Sequence, residues 1–195
     1  DKNTANDKVN INDPILDGKK AYGAVLDDVR EEFDYTVDYR MNHIPLNFEK
    51  NAMLIDPIDY RLDVIDAYVT DTGSTQRLTD FTIRKVNETD SVTKKERTVV
   101  VADIPQKPGT KTDSVDEGNY GGHKFKKYTL HVKVKIKDEY PYEKSQKDYI
   151  KILQENDGYG LRNQASIKWN GETDNPNDDT AQVRRSNNVF VVPPV

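Results

Sequence analysis

Two stretches of this chain repeat with a period of two. From residue 128 the sequence runs Tyr-Thr-Leu-His-Val-Lys-Val-Lys-Ile, so Tyr128, Leu130, Val132, Val134 and Ile136 fall on alternate positions with Thr, His and Lys between them. In residues 31–40, Phe33, Tyr35, Val37 and Tyr39 alternate with Asp34, Thr36 and Asp38. Successive strand side chains point to opposite faces, so each stretch reads as a half-buried strand. A helix, with 3.6 residues per turn, would scatter these apolar positions around its axis.

The remaining segments extend that reading. Residues 51–56 and 61–70 read as strands around a kink at Pro57. Residues 79–86 and 97–103 read as a hairpin, and 163–169 and 187–193 as the last strands. A polar segment leads into a first strand at 8–11, and 17–30 reads as a turn with a loop or short strand. Tyr149, Ile152 and Leu153 share a face at helical spacing, which predicts one short helix over 143–155, ended by Asp157-Gly158. Two loops stand out. Residues 104–123 are rich in Pro, Gly, Thr and Asp, and Gly171–Thr180 is acidic and turn-rich. The sum is eight to ten short strands and one helix, an all-β sandwich by pattern. The loop at 104–123 separates strand sets that are each too small to close a sandwich. We therefore read residues 1–195 as one domain, with 1–7 and 193–195 as linker ends.

Composition narrows the class. A chain of 195 residues can bury a core without metal or disulfide staples. It is 32% charged, yet its 11 tyrosines and 5 phenylalanines argue against disorder. A net charge of −5, with lysines interleaved among acids, gives no nucleic-acid footprint. There is no cysteine, so an exported chain would need another source of stability. No apolar run is long enough to insert into a membrane, and residue 1 does not open a signal peptide. An export signal or wall anchor is expected outside this sequence. His43, His123 and His131 are scattered, and no nucleophile elbow, zinc-helix or phosphate-loop motif occurs. We expect no cofactor and no metal centre. The one alternative is calcium at Asp174-Asn175-Pro176-Asn177-Asp178-Asp179, which offers hard oxygen ligands without EF-hand spacing.

Three residue types occur in a telling order. Lys8-Val9 precedes the Tyr35-Thr36-Val37 strand. Asp56 follows the apolar run Met53-Leu54-Ile55 and leads into Pro57-Ile58-Asp59 and Leu62. Asn163 opens Asn163-Gln164-Ala165-Ser166-Ile167, and the chain closes on Ser186-Asn187-Asn188-Val189-Phe190-Val191-Val192-Pro193-Pro194. This order resembles the isopeptide-forming immunoglobulin-like domains of Gram-positive adhesins and pilins, both the collagen-adhesin A-like variant and the C-terminal domains of antigen I/II adhesins. The resemblance spans nearly the whole chain. Lys8 departs from it in one respect, because Asp7 stands where an apolar residue is usual, and Lys2, Lys19 and Lys20 are nearby.

The resemblance implies an immunoglobulin-like β-sandwich with extra strands. It also implies an autocatalytic bond between Lys8 and Asn163, with Asp56 as the catalytic carboxyl. A water-poor interior favours the neutral amine and the protonated carboxyl that such a reaction needs. The reaction happens once, so the chain is not a turnover enzyme. On this reading it is a structural or adhesive module of a cell-wall-anchored, extracellular surface protein. Its partners would be neighbouring domains of the same protein, with no nucleic acid and no membrane insertion. The alternative is a ligand-binding head that recognises a host protein or glycan through the 104–123 or 172–182 loop. Considered singly, Lys8 reads as a solvated surface residue, Asp56 as a strand-end residue and Asn163 as a turn residue.

Overall fold

The computed structural model describes residues 15–16, 24–42, 51–105, 117–120, 123–140 and 151–193. Thirteen strands occur among them: β1 (Ile15–Leu16), β2 (Ala24–Val25), β3 (Phe33–Asn42), β4 (Met53–Pro57), β5 (Leu62–Asp71), β6 (Thr82–Thr89), β7 (Glu96–Asp103), β8 (Glu117–Tyr120), β9 (His123–Ile136), β10 (Leu161–Asn163), β11 (Ser166–Trp169), β12 (Gln182–Arg185) and β13 (Val189–Val192). Helical residues 151–154 and a 3-10 turn at Asn156–Gly158 complete the described elements.

The strands form three sheets. One has the order β1-β3-β9-β5, with β8 also on β9; a second has β10-β13-β2; the third has β12-β11-β4-β7-β6. All pairings are antiparallel except β13 with β2. The two alternating stretches lie side by side, since β3 and β9 pair with Tyr35 opposite Val132 and Val37 opposite Leu130. Their apolar faces join one core with Leu54, Val100, Ala102, Ile167 and Trp169 of the β4 sheet and Leu161, Val189 and Val191 of the β13 sheet. Ile152 of the helical residues is wholly buried in it.

The third sheet shows why some strands read as unbroken apolar runs. Leu54, Val100 and Ala102 face the main core, whereas Met53, Ile55, Val99 and Val101 form a second cluster on the other face, with Val86 packed against it. A sheet covered on both faces needs apolar residues at every position.

The structure corrects the sequence reading in three places. Residues 163–169 are not one strand. β10 ends at Asn163, β11 starts at Ser166, and the two lie in different sheets. The segment 104–123 is not loop throughout, since Glu117–Tyr120 is a strand on β9. Gln182–Arg185, read as neither helix nor strand, pairs with β11. The predicted strand at 8–11 and helical residues 143–150 lie outside the described residues. Among the described residues no helix is long and apolar enough to cross a membrane.

Candidate functional site

Asp56 sits on β4, whose alternation aims it into the main core beside Leu54. It is 1% exposed. Asn163 ends β10 and is 2% exposed, set opposite Val189 of β13. The two residues are 107 positions apart, yet the Asn163 side-chain nitrogen donates to Asp56 Oδ1 at 3.0 Å and to the Pro57 carbonyl at 3.1 Å. A buried carboxamide and carboxyl each carry a desolvation cost of kilocalories unless hydrogen-bonded. Here each serves as the other's partner.

The end of the chain holds this corner in place. Ser186 is buried, and its hydroxyl accepts from the Ala165 amide at 2.9 Å and donates to the Asn187 carbonyl at 2.8 Å. The Ser186 amide donates to the Ala165 carbonyl at 2.8 Å, and the Gln164 side chain donates to the Ser186 carbonyl at 2.7 Å. The Asn-x-Ala and Ser-Asn segments therefore form one mutually bonded crossing between two sheets. Gly160, just upstream, has φ +81° and lies where a Cβ would be 2.4 Å from the Val191 carbonyl oxygen. Only glycine admits β13 that closely.

Tyr35 reaches the same neighbourhood from β3. Burial raises its phenol far above the usual range, and the nearby Asp56 and Asp59 push the same way, against Arg61. The sequence marks Tyr35 as core by its alternation but gives no sign that its polar end lies near Asp56. The sequence does not mark Arg61 either. It is 4% exposed, with Nε and one terminal nitrogen on Asp59 and both terminal nitrogens on Glu155, at 2.7–2.9 Å. Burial works against its charge, but the hydrogen bonds to Asp59 and Glu155 more than offset this and hold the guanidinium protonated. Lys8 lies outside the described residues. Among the expected site residues, the structure thus brings Asp56 and Asn163 together.

The acidic loop is organised around Asp178. Asp178 accepts from the Thr173 and Thr180 amides and from both threonine hydroxyls, at 2.6–3.1 Å. The hydrogen bond from Thr180, with those from Thr173, holds its carboxyl well below the usual range. A positive charge already enters the loop from the protein itself: the Lys168 ammonium donates to the Pro176 and Asp178 carbonyls at 2.7 and 3.1 Å. Burial lowers the Lys168 pKa. No group of three or more acids or histidines suited to a metal occurs among the described residues.

No family model matches the chain. It is 41% identical over 204 aligned residues to platelet adherence protein A of Streptococcus gordonii, an alignment that covers all of this chain and 5% of that protein. Two solved structures are similar in fold. The major pilin subunit of Bacillus cereus has a TM-score of 0.52 at 18% identity, over 93% of this chain and 40% of the pilin. The C-terminal fragment of the major pilin of Streptococcus agalactiae has a TM-score of 0.51 at 12% identity, over 92% of this chain and 56% of the fragment. The chain has the immunoglobulin-like β-sandwich architecture found in Gram-positive pilins, and it is similar in sequence to one short stretch of a streptococcal adhesin.

Proposed function

We propose that this chain is a single structural or adhesive module of a Gram-positive surface protein, exported and anchored to the cell wall, and locked by an intramolecular bond between Lys8 and Asn163. The observation that carries this reading is a carboxamide and a carboxyl, both buried, in hydrogen-bond contact across 107 residues. Asn163 is the electrophile and Asp56 the proton shuttle. The neutral Lys8 amine attacks Cγ of Asn163, a C–N bond forms, and the Cγ–Nδ2 bond breaks. Asp56 gives a proton to the departing nitrogen and regains one from the amine, so ammonia is the only product released. Folding supplies the proximity.

The bond would close a loop of about 155 residues, worth roughly 5 kcal/mol on the chain-entropy treatment of cross-links. An amide also resists reduction, which suits a cysteine-free module. Partners on this reading are adjacent modules of the same surface protein, with host molecules as a further class.

Intact-mass spectrometry of the purified chain tests it. The expected mass is lower than the sequence mass by one ammonia. The deficit disappears in Asn163→Ala, Asp56→Ala and Lys8→Ala. A full sequence mass in the parent sinks the cross-link. A deficit that survives Lys8→Ala but not Asn163→Ala assigns the amine to another lysine.

A further inference from the structure

A second polar site lies beside the corner, built from four separate stretches of chain. Tyr60, Arg61, Lys95, Tyr140 and Lys151 line a pocket of about 200 Å³. At about 30 Å³ of liquid per water, that volume suits roughly seven waters, too many for a bare ion. It is also below the usual range for drug-sized ligands, about 300–1,000 Å³.

Its wall is fixed before any ligand arrives. Arg61 is clamped by Asp59 and Glu155, and its guanidinium lies 5.0 Å from the centre of the Tyr60 ring. Tyr140 packs edge-on to Tyr60, with ring centres 6.1 Å apart. Asp59 and Glu155 are held by Arg61, and Asp90, which lines the adjoining cleft, is held by Arg97. The exposed Lys95 and Lys151 ammonium groups have no carboxylate partner among the described residues. The pocket therefore joins two cations, neither with a carboxylate partner among the described residues, to two aromatic rings.

We propose that this pocket binds one acidic sugar residue, a ring bearing a carboxylate or sulfate, with its anion toward Lys95 and Lys151 and its ring against the tyrosines. Every lining side chain ends in a hydrogen-bond donor, which matches a ring rich in hydroxyls. None is aliphatic, so an acidic peptide would find no apolar anchor of the kind that dominates protein-protein affinity. Tyr60 also borders a larger cleft of about 430 Å³ that includes Thr93, Arg162 and Gln164, which gives a neighbouring sugar somewhere to lie. The proposal does not depend on the cross-link.

The test is a titration of isotope-labelled protein by NMR with four probes: a sulfated disaccharide, a uronic-acid disaccharide, their neutral counterpart and a glutamate-rich peptide of matched charge. The acidic sugars are expected to bind and to shift the signals of Tyr60, Tyr140 and Lys151. Lys95→Gln and Lys151→Gln should each weaken binding by about tenfold, the loss expected of one charge-assisted contact. Both side chains are solvent-exposed, so unchanged thermal unfolding verifies that the variants fold. Lys85→Gln, on exposed β6, should bind like the parent. Equal binding of the neutral sugar or the peptide, an equal loss in Lys85→Gln, or no binding of either acidic sugar would overturn the proposal.

Discussion

The Asp56–Asn163 corner and the loop at 172–180 solve the same problem under opposite conditions. Each gathers polar groups around an aspartate carboxyl group. At the corner both partners are almost fully removed from water. In the loop, Asp178 gathers four donors in a segment open to solvent. Water replaces a lost partner more readily in the loop than at the buried corner, so the corner has few bonds of high consequence and the loop many of low consequence. Chemistry that depends on an excluded solvent belongs at the corner. The loop uses the same atoms to hold a shape.

The largest test of this contrast is Asn163→Ala. It removes the proposed cross-link, worth roughly 5 kcal/mol, and leaves Asp56 buried without that donor. Thermal unfolding should drop steeply, in step with the mass change. A stability loss without a mass change would leave the corner as a hydrogen-bonded brace and nothing more. Next is Arg61→Met. It strands Asp59 and Glu155 beside the core, and removing one member of a buried ionic group costs about 3–5 kcal/mol. Glu155 is a third exposed, which places the expected loss at the lower end. Urea denaturation gives the value, and a loss like that of a surface ion pair would show that water already reaches the network.

How much of this the sequence disclosed depends on periodicity. β3 and β9 are legible because one face is buried and the other is not. β10 and β11 are misread for the same reason. Leu161, Asn163, Ala165, Ile167 and Trp169 are all buried at a spacing of two, so the alternation continues unbroken while the chain changes sheet. β12 and β8 are missed because Gln-Val-Arg-Arg and Glu-Gly-Asn-Tyr carry no apolar alternation, and β12 lies at a sheet edge. Asp56 and Asn163 were found through residue order. Arg61 was invisible because its burial is created by Asp59 and Glu155, and Glu155 is 94 residues away.

An intermediate case sharpens the comparison through pH. His131, on the outer face of β9, stacks on Tyr68 with ring centres 4.6 Å apart and shares a hydrogen bond with Thr70 at 2.9 Å. Burial lowers its pKa from 6.5, aided by Arg77 and opposed by Asp34 and Asp38. The unfolded chain then binds the proton more readily than the folded one. Stability should fall as pH drops below the unfolded value of 6.5 and level off beneath the folded value. His131→Gln should flatten that step in a series of unfolding curves.

The smallest effect is expected at Asp178, where stability again falls with pH, in a more acidic window, and the readout is local. Its carboxyl is depressed from 3.8 by the threonine hydrogen bonds, so its contribution is complete above that value and lost as pH falls through the lower folded value. Because the group is open to solvent, the change should appear in amide exchange at Thr173 and Thr180 and scarcely in global unfolding. Asp178→Asn should speed exchange at those two amides at neutral pH while leaving the Asp56–Asn163 corner untouched. If it instead lowered global stability as much as Arg61→Met does, the loop would be part of the core's cooperative unit. Solvent exposure would then no longer separate the two clusters.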